Sequence, residues 1–155
     1  MNKISLKYYL FIFHSIIPLL LGGIFYISFR SKTLIMFNWF NAIGIQNLIQ
    51  YIRLNLSFLK PIIPDWTYYS LPDGLWIYSF SSFLIIYWDN YYKTFNYWLF
   101  IPFVCGIVVE LLQFVKLFPG TFDIIDLFFL SLGLSLSLII LNSLLKKGKE
   151  QSQIC

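Results

Sequence analysis

Apolar residues run almost unbroken from Tyr8 to Phe29 (YYLFIFHSIIPLLLGGIFYISF), between Lys7 and Arg30. At 1.5 Å per residue this stretch, 8–29, is long enough to cross a hydrocarbon core of about 30 Å, so it predicts a transmembrane helix. It exceeds a signal-peptide core and no A-x-A site follows, so an uncleaved helix is expected. Pro18 and Gly22-Gly23 predict a bend or a close helix contact within it. From 42 to 59 (AIGIQNLIQYIRLNLSFL) the pattern changes. Ile45, Leu48, Ile49, Ile52, Leu56 and Leu59 recur at helical spacing, with Gln46, Asn47, Gln50, Arg53 and Asn55 elsewhere. That is an amphipathic helix lying in the membrane interface, ended by Lys60-Pro61.

Three further apolar runs follow a turn-rich stretch, Pro64-Asp65-Trp66 to Leu71-Pro72-Asp73-Gly74. They predict helices over 74–88, 97–115 and 124–145, with Asp89-Asn90 and a short turn to Asn96 between the first two. Lys116 to Asp123, with Pro119-Gly120, makes the last turn, and Lys146-Lys147-Gly148-Lys149 closes the last helix. The expected fold class is all-α: a polytopic membrane bundle of four transmembrane helices plus one interfacial amphipathic helix, forming a single domain over 1–155.

Composition supports the class. The chain is 59% hydrophobic and 12% charged, with a mean hydropathy of +0.74, which excludes an ordinary soluble domain. Tyr and Trp suit the membrane–water boundary, so part of the 21% aromatic content serves anchoring. Alanine occurs once, at Ala42, a bias that suggests an AT-rich bacterial genome. The net charge of +4 forms no basic stripe, so nucleic acid is not an expected partner. Cys105 and Cys155 suggest no disulfide framework. No zinc-ligand spacing, Gly-rich phosphate loop or G-x-S-x-G elbow is present, so neither metal nor cofactor is expected, although Glu110, Asp123 and Asp126 could in principle offer hard oxygen ligands.

Four spans place both termini on one side. Lys3, Lys7, Lys93, Lys146, Lys147 and Lys149 share that side, and Arg30, Lys32, Arg53, Lys60 and Lys116 the other. Counting basic residues favours cytoplasmic termini in a bacterial cytoplasmic membrane.

The candidate chemistry lies in ELLQFVKLFPGTFDIID, residues 110–126. Glu110 and Gln113 share one helical face, as do Asp123 and Asp126. An acid at the centre of a membrane helix costs about 2.5 kcal/mol or more, so it needs a partner or a role. Glu110 lies about 9 Å from the end of its helix. Topology brings Asp65, Asp73, Glu110, Gln113, Asp123 and Asp126 to one leaflet, with Arg30, Arg53 and Lys60. Each also has a structural reading. Asp123 can cap the last helix and Asp126 can favour its dipole. Pro72-Asp73-Gly74 can be a turn with a cap. Glu110 and Gln113 can bond a neighbouring helix. His14, roughly 24 Å along its helix from Arg30, reads as structural.

Glu110-x-x-Gln113, a short turn, Phe122-Asp123-x-x-Asp126 and then Gly133 resemble the VanZ-like family, small bacterial membrane proteins named after a teicoplanin-resistance factor. Leu71-Pro72-Asp73-Gly74 with Tyr78 is similar to the family's entry into its second helix. The resemblance covers about residues 70–142. Phe118-Pro119-Gly120-Thr121 stands where the family usually carries an Arg, and the family's second-helix His and its Asn after the last Asp are missing. The resemblance implies a cell-envelope role. The leading expectation is an acidic pocket near one leaflet that binds a polar headgroup or envelope precursor through Glu110, Gln113, Asp123, Asp126 and Asp73. The alternatives are a non-catalytic subunit of a membrane complex, or an enzyme acting on a lipid-linked substrate with Glu110 or Asp126 as acid/base. The bilayer is a partner in every case.

Overall fold

The computed structural model describes residues 3–88 and 97–154. Asp89-Asn90, the turn to Asn96, Lys93 and Cys155 lie outside the described residues. Every element among them is helical. Among the described residues three segments are long and apolar enough to cross a membrane: Ser5–Phe29, Tyr97–Phe114 and Ile124–Lys146. Large apolar side chains face outward along these segments, among them Leu20, Ile24, Val104, Val108, Phe128 and Ile139. A soluble protein would bury them; a bilayer solvates them.

The first span is built of α1 (Lys3–Phe11), a π turn (Ile12–Ile16) and α2 (Ile17–Phe29). The wide turn sits just before Pro18, which has no N–H to offer the preceding turn. The Ser79 hydroxyl donates to the Ser15 carbonyl at 2.6 Å. Gly22 is the close contact expected of the Gly pair. A Cβ there would lie 2.7 Å from Trp76 Nε1 and 3.2 Å from the Pro72 carbonyl, whereas one on Gly23 would meet nothing within 4 Å.

The amphipathic segment is not one helix over 42–59. It is α3 (Ile35–Ile43), α4 (Gln46–Leu56) and a 3-10 turn (Ser57–Leu59). Gly44 makes the break. Its φ of 80° is left-handed, and the Ile45 N–H reaches back to the Phe40 carbonyl at 3.1 Å. The buried face also differs from the expected one. Ile49 is buried and Arg53 half-buried, while Leu48, Tyr51 and Leu54 are exposed.

Beyond the one-turn α5 (Trp66–Tyr69) comes α6 (Leu71–Tyr87), the axis of the bundle, packed most extensively against α8 (Ile124–Ile154) and then α2. α6 begins three residues before the expected 74, because Pro72 falls in the first turn, where its missing N–H costs nothing. Residues 71–74 are therefore helix, and Asp73 belongs to the first turn of α6 instead of capping it. A 3-10 turn (Tyr97–Phe100) leads into α7 (Ile101–Phe114). α8 runs past the expected 145, continuous through the Lys-rich end.

Two apolar clusters fill the interior. Leu10, Ile85, Ile86, Leu99, Leu141 and Leu145 form one, and Ile77, Leu130 and Leu134 the other. Where α6 crosses α8, glycines replace side chains. A Cβ on Gly133 would clash with the Gly74 carbonyl oxygen and lie 3.2 Å from both Gly74 C and Tyr78 N.

Candidate functional site

The acids gather where α6 and α8 begin and α7 ends. Asp73 stands in the first turn of α6, Glu110 in the last part of α7 and Asp126 in the first turn of α8. Antiparallel neighbours joined by a short turn must place these ends side by side. Asp73 feels the charges of both Asp126 and Glu110, and the Arg30 charge at the end of α2 acts on all three. Glu110 and Asp126 are buried, at 6% and 8% exposure, and Asp73 is half-buried.

Asp123 takes its expected structural place. Its Oδ1 accepts the Ile125 N–H at 2.9 Å, capping α8. Its own N–H donates to Glu110 Oε2 at 3.4 Å, a long bond tying α7 to the start of α8. Gln113 lies against the turn between α7 and α8. It packs on Gly120, where a Cβ would come within 2.6 Å of its Nε2, so it buttresses the Pro119-Gly120 turn. Gly120 (φ 139°) and Lys116 (φ 59°) carry the positive dihedrals that this turn needs.

Asp126 Oδ1 is buried without a hydrogen-bond partner. Ser70, buried just before α6, lies beside its carboxylate, yet neither Asp126 Oδ1 nor Ser70 Oγ makes a hydrogen bond of good geometry. Arg30 forms no contact ion pair with the acids. Its Nη2 donates to the Tyr69 carbonyl at 3.0 Å and its guanidinium lies over the Tyr26 and Tyr69 rings at 5.2 and 5.1 Å. Arg30 Nε is buried without an acceptor. The cluster thus holds three carboxyl groups against one neighbouring cation.

Arg53 and Lys60, grouped with the acids by topology, belong elsewhere. Arg53 Nη1 donates to the carbonyls of Ile27 and Arg30, at 2.6 and 2.9 Å. A helix leaves its last carbonyls unpaired, so Arg53 caps the end of α2 and complements its dipole. The Arg53 guanidinium also lies 5.3 Å from the Phe37 ring centroid. Sequence reasoning read His14 as structural, named Tyr78 only within the family resemblance and did not single out Ser70. His14 Nδ1 bonds the Tyr78 hydroxyl at 2.5 Å. Tyr78 follows Asp73 by five positions, about 7.5 Å of helical rise, so His14 lies nearer the acids than its spacing from Arg30 suggests. The packing of the π turn on α6 brings His14 and Tyr78 together. Among the described residues no group of three or more His, Cys, Asp or Glu is placed to hold a metal ion.

Comparison of this chain with protein-family models, curated proteins and solved structures finds no match.

Proposed function

We propose that this chain is a VanZ-like protein of the bacterial cytoplasmic membrane. In this reading α6 is a fourth crossing and the termini are cytoplasmic. The Asp73–Glu110–Asp126 cluster binds an amine-bearing or otherwise cationic headgroup of an envelope lipid or precursor. The observation that carries the reading is the buried, unpartnered Oδ1 of Asp126 beside two further acids. A buried carboxylate oxygen that the adjacent Ser70 hydroxyl does not bond in good geometry is costly, and a donor or cation from outside the chain offsets that cost. Three acids against Arg30 favour a positive group over an anion. Two supports bear on the family likeness. Its motif residues Asp73, Glu110 and Asp126 come from three helices and lie within reach of one another's charge, and Gly74 and Gly133 form the adjacent crossing. For the fourth crossing, α6 has 17 residues, about 25 Å, lies at the centre of the bundle and buries Ser79, Ser81 and Ser82 there.

The test is native mass spectrometry of the purified protein with phosphatidylethanolamine as the amine-bearing probe. Glu110→Gln and Asp126→Asn should each reduce its retention about ten-fold while thermal unfolding is unchanged or rises. Retention equal to wild type in both variants refutes the reading. A lowered melting point in Glu110→Gln with retention intact makes the acids structural.

A further inference from the structure

A second polar site lies on a different surface. A cleft of about 340 Å³ opens between the end of α2 and α4, walled by Lys32, Arg53 and Lys60 with Gln50, Ser57 and Ser28. That volume suits a small polar group. Three cations enter its wall and no carboxylate does. Among the described residues no acid pairs with Lys32, Arg53 or Lys60. Arg53 is already fixed by its two Nη1 bonds to carbonyls at the end of α2, and among the described residues no acceptor takes its other nitrogens. A guanidinium held in place loses little freedom when it takes up an oxyanion, and its fork matches phosphate oxygens.

The same cleft has an apolar side. Phe29 and Leu54 line it, and Leu54 is 74% exposed on a helix whose Leu48 and Tyr51 are exposed too. An amphipathic helix with an outward apolar face lies at the headgroup boundary, with acyl chains against that face. We infer that the Lys32–Arg53–Lys60 cleft binds a phosphate-bearing anion, the headgroup of an anionic phospholipid, whose chains lie along α4. Basic clusters at a membrane boundary recognise anionic lipid in this way.

The experiment measures lipid retention by native mass spectrometry from micelles, with phosphatidylglycerol and phosphatidylcholine as probes. Arg53 is left intact because it caps α2. A cation near an anionic surface is worth about a five-fold gain in binding, so Lys32→Gln with Lys60→Gln should weaken phosphatidylglycerol roughly thirty-fold. Phosphatidylcholine and the unfolding temperature should not change. Lys116→Gln, a cation lost outside the cleft, should leave retention at the wild-type level. Millimolar inorganic phosphate distinguishes the source. If it leaves phosphatidylglycerol bound, the lipid is the ligand. If it displaces the lipid and itself binds wild type but not the double variant, the oxyanion site stands and the ligand is a free phosphate. Equal retention of the two lipids by wild type overturns the inference, as does a double variant that holds phosphatidylglycerol normally or a Lys116→Gln loss of the same size.

Discussion

Adding a single methyl group at Gly133 tests the α6–α8 crossing directly. In Gly133→Ala the new Cβ would overlap the Gly74 carbonyl oxygen and stand 3.2 Å from Gly74 C and Tyr78 N. All three atoms are backbone, so no rotamer change relieves the contact and the helices must separate. Overpacking costs about 1–3 kcal/mol, and contact with rigid backbone belongs at the upper end. Replacing glycine by alanine inside a helix returns about 1 kcal/mol. The expected net effect is about 2 kcal/mol of destabilisation, or roughly 4–8 °C in melting temperature for a chain of this size. Gly23→Ala is the matched control. Nothing lies within 4 Å of its Cβ position, so only the propensity gain of up to about 1 kcal/mol remains. Thermal unfolding of both variants in one detergent should therefore show shifts of opposite sign. A Gly133→Ala protein as stable as wild type, or parallel shifts in the two, would falsify the close crossing.

Removing the Arg53 cap should also be visible. Arg53→Ala deletes two charged bonds to the end of α2, a loss of about 2 kcal/mol that Arg53→Lys recovers only in part, and equal melting of all three proteins would count against the cap. Tyr68 provides a pH prediction. Its hydroxyl donates to the Asp65 carboxylate, and this bond pushes the phenol up to about 12. The folded state therefore holds the proton more tightly than the unfolded chain, where tyrosine ionises at about pH 10. The resulting stability is complete below about pH 10 and is lost as pH rises toward 12. Ultraviolet titration of Asp65→Asn should show one tyrosine ionising earlier than in wild type; an unchanged curve refutes the pairing.

The membrane class and the three long spans were legible because unbroken apolar runs of such length suit lipid far better than water. The convergence of Asp73, Glu110 and Asp126 was legible for a different reason. Short turns force antiparallel order, and order alone assigns each residue to an end of the bundle. What failed was facing. Arg53 reads as solvated on a helical wheel, yet the unpaired carbonyls of α2 draw it inward, and those carbonyls lie more than twenty positions away. The apolar periodicity ran straight through Gly44, whose left-handed φ separates α3 from α4. Gln113 shares a face with Glu110 by spacing. Its fate was set by Gly120, which leaves room for the amide to fold back on the turn. Ser70 carries no sequence signal beyond being a serine before a helix.

The contact between Gly74 and Gly133 divides the acids unequally. Asp73 precedes Gly74 by one position, and Asp126 stands two turns before Gly133, so both are anchored to one backbone seam. Glu110 belongs to α7, whose Ile101, Val104, Val108 and Phe114 face outward and whose Gly106 meets only the branched end of Leu130. Two of the cluster's carboxyl groups thus stand on one backbone-to-backbone seam, and the third on a helix held to that seam through side chains and the Asp123 N–H bond to Glu110.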